Sequence, residues 1–153
     1  MNRKSRMIGR ALATVVAVGT LGAISASPAS AAAHWANGAY AGQHFWKSDL
    51  YLRGGLEAGS GEIRVDWTGG KVGIRGYAFD ASSDNRGVLV RVSYDYYSGG
   101  AWHHASKKVA AKAAGAYKMT NFAKHSTLSV KNLHAQACLY NSAGQTSWCG
   151  PVR

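Results

Sequence analysis

The residues best suited to chemistry gather around position 100. Asp95, His103 and His104 flank the short sequence Ser98-Gly99-Gly100. If the flanking segments form a hairpin with a two- or three-residue turn, one of the two histidines comes beside the Asp95 side chain. A His–Asp pair can act as a general base with its orienting group. It also needs a nucleophile or a metal, and the sequence places neither beside it. A surface ion pair of small energetic weight is the commoner result. A small hydrolase using Asp95 with His103 or His104 is therefore an alternative expectation, and the leading one is non-catalytic.

Metal chemistry finds little support. His34, His44, His103, His104, His125 and His134 show no short ligand spacing. Adjacent histidines on a strand point to opposite faces, so His103 and His104 make a poor ligand pair. Asp80, Ser82, Asp84 and Asn85 put several hard oxygens into one loop, which calcium favours. No glutamate closes that loop at EF-hand spacing, and Asx and Ser side chains that cap turns explain the same composition. No metal and no cofactor is expected.

Binding is the better-supported class. Trp35, Tyr40, Phe45, Trp46, Tyr96, Tyr97, Trp102, Tyr117 and Trp148 make the chain rich in aromatics. Most must fill the core. Tyr97 and Trp102 flank a turn and are the candidates for exposure, where rigid aromatic area serves binding. Charge is distributed unevenly. Residues 34–95 carry Lys47, Arg53, Arg64, Lys71, Arg75, Arg86 and Arg91 against Asp49, Glu57, Glu62, Asp66, Asp80, Asp84 and Asp95, a balance of zero. Residues 96–153 carry Lys107, Lys108, Lys112, Lys118, Lys124, Lys131 and Arg153 and no carboxylate. Such a segment attracts anionic polymers from a distance. Lysine in place of arginine favours diffuse attraction over shaped bidentate contact. Tyr97, Trp102, Lys107, Lys108, Lys112, Lys118 and Lys124 are thus the candidate binding residues. Solubility of a basic protein explains the charge equally simply. No nucleic-acid-binding motif accompanies the lysines, so no specific nucleic acid is expected.

The N-terminus sets the compartment. Arg3, Lys4, Arg6 and Arg10 precede an uncharged run of Ala, Val, Leu and Gly from Ala11 to Ile24. The run falls short of the about 20 strongly apolar residues that span a bilayer. Ser27-Pro28-Ala29-Ser30-Ala31-Ala32-Ala33 then offers small residues to a signal peptidase, with cleavage before Ala32 or before His34. Residues 1–33 read as a cleavable signal peptide and 34–153 as one secreted, extracellular domain, a monomer with no membrane span. Cys138 and Cys149 are the two cysteines, and in an exported chain they read as a disulfide.

The elements that must position these residues are strands. Ile63, Val65 and Trp67 alternate with Glu62, Arg64 and Asp66, and Gly69-Gly70 leads to a second run over Val72–Phe79. Val88, Val90 and Val92 alternate with Arg91, Ser93 and Asp95. Ser98-Gly99-Gly100 turns the chain, and Ala101–Ala111 returns. Ala110–Ala116 suits a helical turn by composition, although Gly115 opposes a long helix. Tyr117–Phe122 and Ser126–Val130 read as strands. Leu133–Tyr140 alternates again, Asn141–Gln145 turns, and Thr146–Cys149 returns. Folding about Ala143-Gly144 sets Cys138 opposite Cys149 and Leu139 opposite Trp148, within disulfide reach. Seven or so such strands predict an all-β, antiparallel β-sandwich of immunoglobulin-like or jelly-roll type, with a small β-barrel as the alternative.

Two stretches carry a resemblance. They are Val72–Asp80 with Ser82–Val88 and Val90–Val92, and Ala135–Leu139 with Trp148-Cys149. Together they resemble uncharacterised small secreted β-proteins of actinobacteria, over most of the chain from Val72 onward. The resemblance implies export and an all-β fold. It implies no activity and assigns no functional residue. The combined expectation is a secreted, non-catalytic binding protein whose basic face meets an anionic cell-envelope or extracellular polymer. A secreted inhibitor or toxin acting on another protein is a further alternative.

Overall fold

The computed structural model describes residues 34–38, 44–52 and 58–153, and the expected signal peptide lies outside them. Nine strands run β1 (Trp35–Asn37), β2 (His44–Tyr51), β3 (Gly59–Thr68), β4 (Lys71–Asp80), β5 (Gly87–Ser98), β6 (Ala101–Ala114), β7 (Lys118–Ser126), β8 (Val130–Tyr140) and β9 (Thr146–Cys149). They form two antiparallel sheets. The first has the order β1-β7-β4-β3-β2 and the second β6-β5-β8-β9. Neither closes on itself, so the barrel alternative falls and the sandwich stands.

Alternation builds the core. Ile63 and Val65 of β3, Val72, Ile74 and Ala78 of β4, and Phe122 of β7 face Val88, Val90, Val92 and Tyr94 of β5 and Ala135, Ala137 and Leu139 of β8. The intervening residues of each strand turn outward, as the period of two requires. Gly69-Gly70 and Gly99-Gly100 supply the positive φ angles of two-residue hairpin turns (56° and 81°, 58° and 83°). They join β3 to β4 and β5 to β6, with Thr68 opposite Lys71 and Ser98 opposite Ala101. Gly76 has a different role. A Cβ there would sit 1.9 Å from the Glu62 carbonyl oxygen, so only glycine lets β3 and β4 approach this closely.

Three local expectations are corrected. The alanine-rich segment 110–114 completes β6 and is not a helical turn. Ala111 and Ala113 bury against Val90 and Val88, while Lys112 and Ala114 stay exposed. Pairing with β5 outweighs the helix propensity of alanine. Ser126–Val130 is not a strand. Ser126 ends β7, which begins at Lys118, and residues 127–129 form a turn before β8. That turn is held from outside: the N–H of Thr127 donates to His34 O, that of Val130 to Gly70 O, and that of Tyr97 to Ser129 O. In the last hairpin Cys138 does face Cys149, and the two form a disulfide. Leu139, however, faces Ser147. Trp148 is the extra residue of a bulge, with φ 44° and its ring exposed.

Candidate binding face on the four-stranded sheet

The outward residues of β5 are Leu89, Arg91, Ser93, Asp95 and Tyr97, and their partners on β6 and β8 complete a face. Tyr97 stands opposite Trp102, Asp95 opposite both His104 and Lys131, Ser93 opposite His134, and Arg91 opposite Gln136. Pairing across adjacent strands therefore joins residues from three separate stretches of chain.

At the hairpin end the face is aromatic. Tyr97 and Trp102 are each 44 % exposed and meet edge to face, with ring centroids 5.3 Å apart. The Lys131 ammonium sits 4.1 Å from the Trp102 ring centroid, a cation–π contact that reaches across β5. Beside them the Asp95 carboxylate is fixed by two donors. His104 Nδ1 lies 2.8 Å from one oxygen, and the Asn132 side-chain amide donates to the other at 2.7 Å. His104 first, and Asn132 after it, hold the Asp95 carboxyl below its ordinary range. Asn132 reaches this place from a positive φ of 49°, beside an irregularity in the β5–β8 register.

The His–Asp pair thus forms as its spacing implies, with His104 as the partner. His103 turns away, lying 3.1 Å from Ser98 O and stacking on Tyr96. Among the described residues no serine, threonine or tyrosine hydroxyl is hydrogen-bonded to His104, and both cysteines are in the disulfide. The pair orients Asp95 and shapes the surface beside Trp102. It lacks the third member that acyl transfer requires.

The lysines divide between the sheets. Lys107, Lys108 and Lys112 are exposed on β6, Lys112 with its ammonium 5.1 Å from the Tyr140 ring centroid. Lys118 and Lys124 lie on β7, in the five-stranded sheet. Among the described residues, none of these five, nor Lys131, forms an ion pair with a carboxylate. The outer face of the five-stranded sheet differs. There Lys47 pairs with Glu62 at 2.9 Å, and Arg64 and Arg75 flank the fully buried Asp66 at 3.1 and 3.4 Å. On the outer face of the five-stranded sheet Lys47, Arg64 and Arg75 are thus neutralised in place, whereas Lys107, Lys112 and Lys131 of the four-stranded sheet are in no ion pair among the described residues.

The loop carrying Asp80, Ser82, Asp84 and Asn85 spends its oxygens on itself. The Ser82 N–H donates to Asp80 Oδ1, and Arg86 clasps Asp84 with its backbone and guanidinium N–H groups. Among the described residues no group of three or more metal-ligating side chains assembles.

Sequence reasoning reached Tyr97, Trp102 and the Asp95–His pair, but not Lys131, Asn132 or the Arg91–Gln136 contact. Those depend on β5 pairing with β8, whose residues lie about 40 positions further along the chain. No family model, curated protein or solved structure matches this chain.

Proposed function

We propose that this chain is a secreted, non-catalytic binding domain that holds an anionic polymer of the cell envelope or extracellular space. The polymer lies along the outer face of the four-stranded sheet. Tyr97 and Trp102 offer rigid apolar area for a sugar or polyol unit. Lys107, Lys112 and Lys131 neutralise the charged groups that follow, while Lys108, opposite the inward-facing Val92, lies on the other side of β6. The observation that carries this reading is the contrast between the two outer faces: Lys47, Arg64 and Arg75 are paired with carboxylates, whereas Lys107, Lys112 and Lys131 of the four-stranded sheet form no ion pair among the described residues. The disulfide is compatible with an oxidising compartment.

The test is tryptophan fluorescence titration with poly(glycerol phosphate), polygalacturonate and neutral dextran, at low and high salt. Both anionic polymers should bind and dextran should not. Affinity should fall steeply as added salt shortens the Debye length from about 10 Å at 0.1 M to about 3 Å at 1 M. Trp102→Ala should weaken binding without lowering the melting temperature. Equal binding of dextran, or affinity indifferent to salt, would refute the electrostatic reading.

A further inference from the structure

About midway along the same face, a cavity of about 320 Å³ opens between β5, β6 and β8. Arg91, Ser93, Ser106, Lys107, His134 and Gln136 line it, and no carboxylate does. We propose that this cavity is a phosphate subsite, receiving one phosphodiester of the bound polymer; the assignment rests on the polymer-binding reading above.

The donors are built in place. Gln136 is fixed by its side-chain amide, which donates to Gly150 O at 2.6 Å. Its own oxygen accepts from Arg91 Nε and Nη2 at 3.1 and 2.6 Å. The guanidinium is thereby pinned along one edge, and its remaining N–H groups are left to a ligand. Ser93 is set in a similar way. Its Oγ accepts the Lys107 backbone N–H at 3.1 Å, where Lys107 takes a φ of 55° in an irregular stretch of β6. The hydroxyl proton of Ser93 is then free to donate. Ser106 and the Lys107 ammonium add donors from the β6 side.

Donors that come from different strands suit a tetrahedral anion with oxygens on several sides. A planar carboxylate presents two oxygens in one plane and matches the guanidinium alone. Ser93 and Tyr97 are four residues apart on one strand, so the subsite and the aromatic platform stand roughly 13 Å apart. A polymer that repeats an anionic group and an uncharged polyol can occupy both at once.

The experiment compares three probes on the full chain: a glycerol phosphate oligomer, inorganic phosphate, and an oligogalacturonate of equal charge. Affinity and the backbone amide NMR shifts of Ser93, Ser106 and Lys107 are followed. The glycerol phosphate oligomer should bind about tenfold tighter than the oligogalacturonate and shift all three amides, the scale of one charge-assisted hydrogen bond. Inorganic phosphate should shift the same amides and bind more weakly than the oligomer. Arg91→Lys keeps the charge and loses the fork that both anions can use, so it should weaken both polymers. Ser106→Ala, at an exposed position, should weaken the oligomer with an unchanged melting curve.

If both polymers bind equally and Arg91→Lys changes neither, the subsite is wrong and the polymer-binding face survives. If inorganic phosphate binds as tightly as the oligomer, the cavity takes a free ion and the polymer subsite is overturned. If no anionic polymer binds, both readings fall together.

Discussion

Removing the disulfide tests how the clasp at the end of the chain supports the binding face. Cys138 and Cys149 are separated by 11 positions and tie β9 to β8. In the chain-entropy account, closing a loop of this length stabilises the fold by roughly 3 kcal/mol. For a domain of this size that corresponds to a fall in melting temperature of roughly 10 °C in the variant Cys138→Ala/Cys149→Ala. Alanine is the right replacement at 138, because that side chain is fully buried and a serine hydroxyl would be stranded there.

The effect should not stop at stability. Gly150 follows Cys149 directly. Its N–H donates to Ala137 O, and its carbonyl accepts from Gln136, which holds Arg91. Loss of the clasp should therefore free the last strand, loosen Gln136 and weaken phosphate binding along with stability. Calorimetry, amide exchange over residues 146–153 and the phosphate titration read the three steps separately. A melting temperature lowered by under about 2 °C, with unchanged exchange in that segment, would show that the clasp constrains nothing. A large fall in stability with unaltered phosphate affinity would break the link from Gly150 to Arg91.

Gly76→Ala should cost at least about 3 kcal/mol, since the new methyl meets the Glu62 carbonyl and neither strand can retreat; a denaturant midpoint like the parent's would contradict this. Ser126→Ala should cost about 1–3 kcal/mol, because the buried Ser126 hydroxyl accepts the Val72 N–H at 2.9 Å and leaves it unpaired when removed; chemical denaturation measures it, and a neutral change would oppose it. Burial holds the Asp80 carboxyl above its ordinary 3.8, against the Ser82 and Gly115 N–H groups that favour its charge. The folded state then holds that proton more tightly than the unfolded chain, so the contribution of Asp80 to stability declines as pH rises from the ordinary value through the raised one. Asp80→Asn should remove that decline, so its melting temperature relative to the parent improves with rising pH; parallel curves would count against the assignment. Replacing Lys108 and Lys112 with valine should promote self-association in light scattering, since β6 is an edge strand and charge guards its unpaired backbone; a monodisperse variant would argue otherwise.

What the sequence discloses and what it conceals follow from how local each signal is. The hairpins at Gly69-Gly70 and Gly99-Gly100 are legible because paired glycines turn two neighbouring strands. The cysteine pairing is legible for the same reason, since both partners lie on one hairpin. The irregularities are not. Lys107, Asn132 and Trp148 take positive φ angles that nothing in their residue types advertises. Each shifts a register by one position, which is why Trp148 misses Leu139. The turn at 127–129 escapes notice because it contains neither glycine nor proline, and is held by His34, just before β1, and Gly70, in the β3–β4 turn. Burial of Asp66 and Asp80 is equally hidden, since a carboxylate on an alternating strand reads as solvated until its neighbours are known.

The lysines of β6 answer to two demands, and the structure separates them. An edge strand needs charge along its free side to deter pairing with another chain, and any exposed position there serves. A ligand needs charge on the same face as the aromatic platform, within reach of it. Lys131 lies on β8, which β9 covers only at Cys138–Tyr140, so its place beside Trp102, and not the strand order, marks it for the second demand. Its ammonium rests on the Trp102 ring, and Asp95, which stands opposite it, is already held by His104 and Asn132. Lys108 stands on the edge strand, where protection alone accounts for it. Lys107 sits on that edge and also lines the cavity beside Ser93. The case for a binding face therefore rests on Lys131, Lys107 and Arg91 together with Trp102, and the number of lysines in the second half of the chain adds little to it.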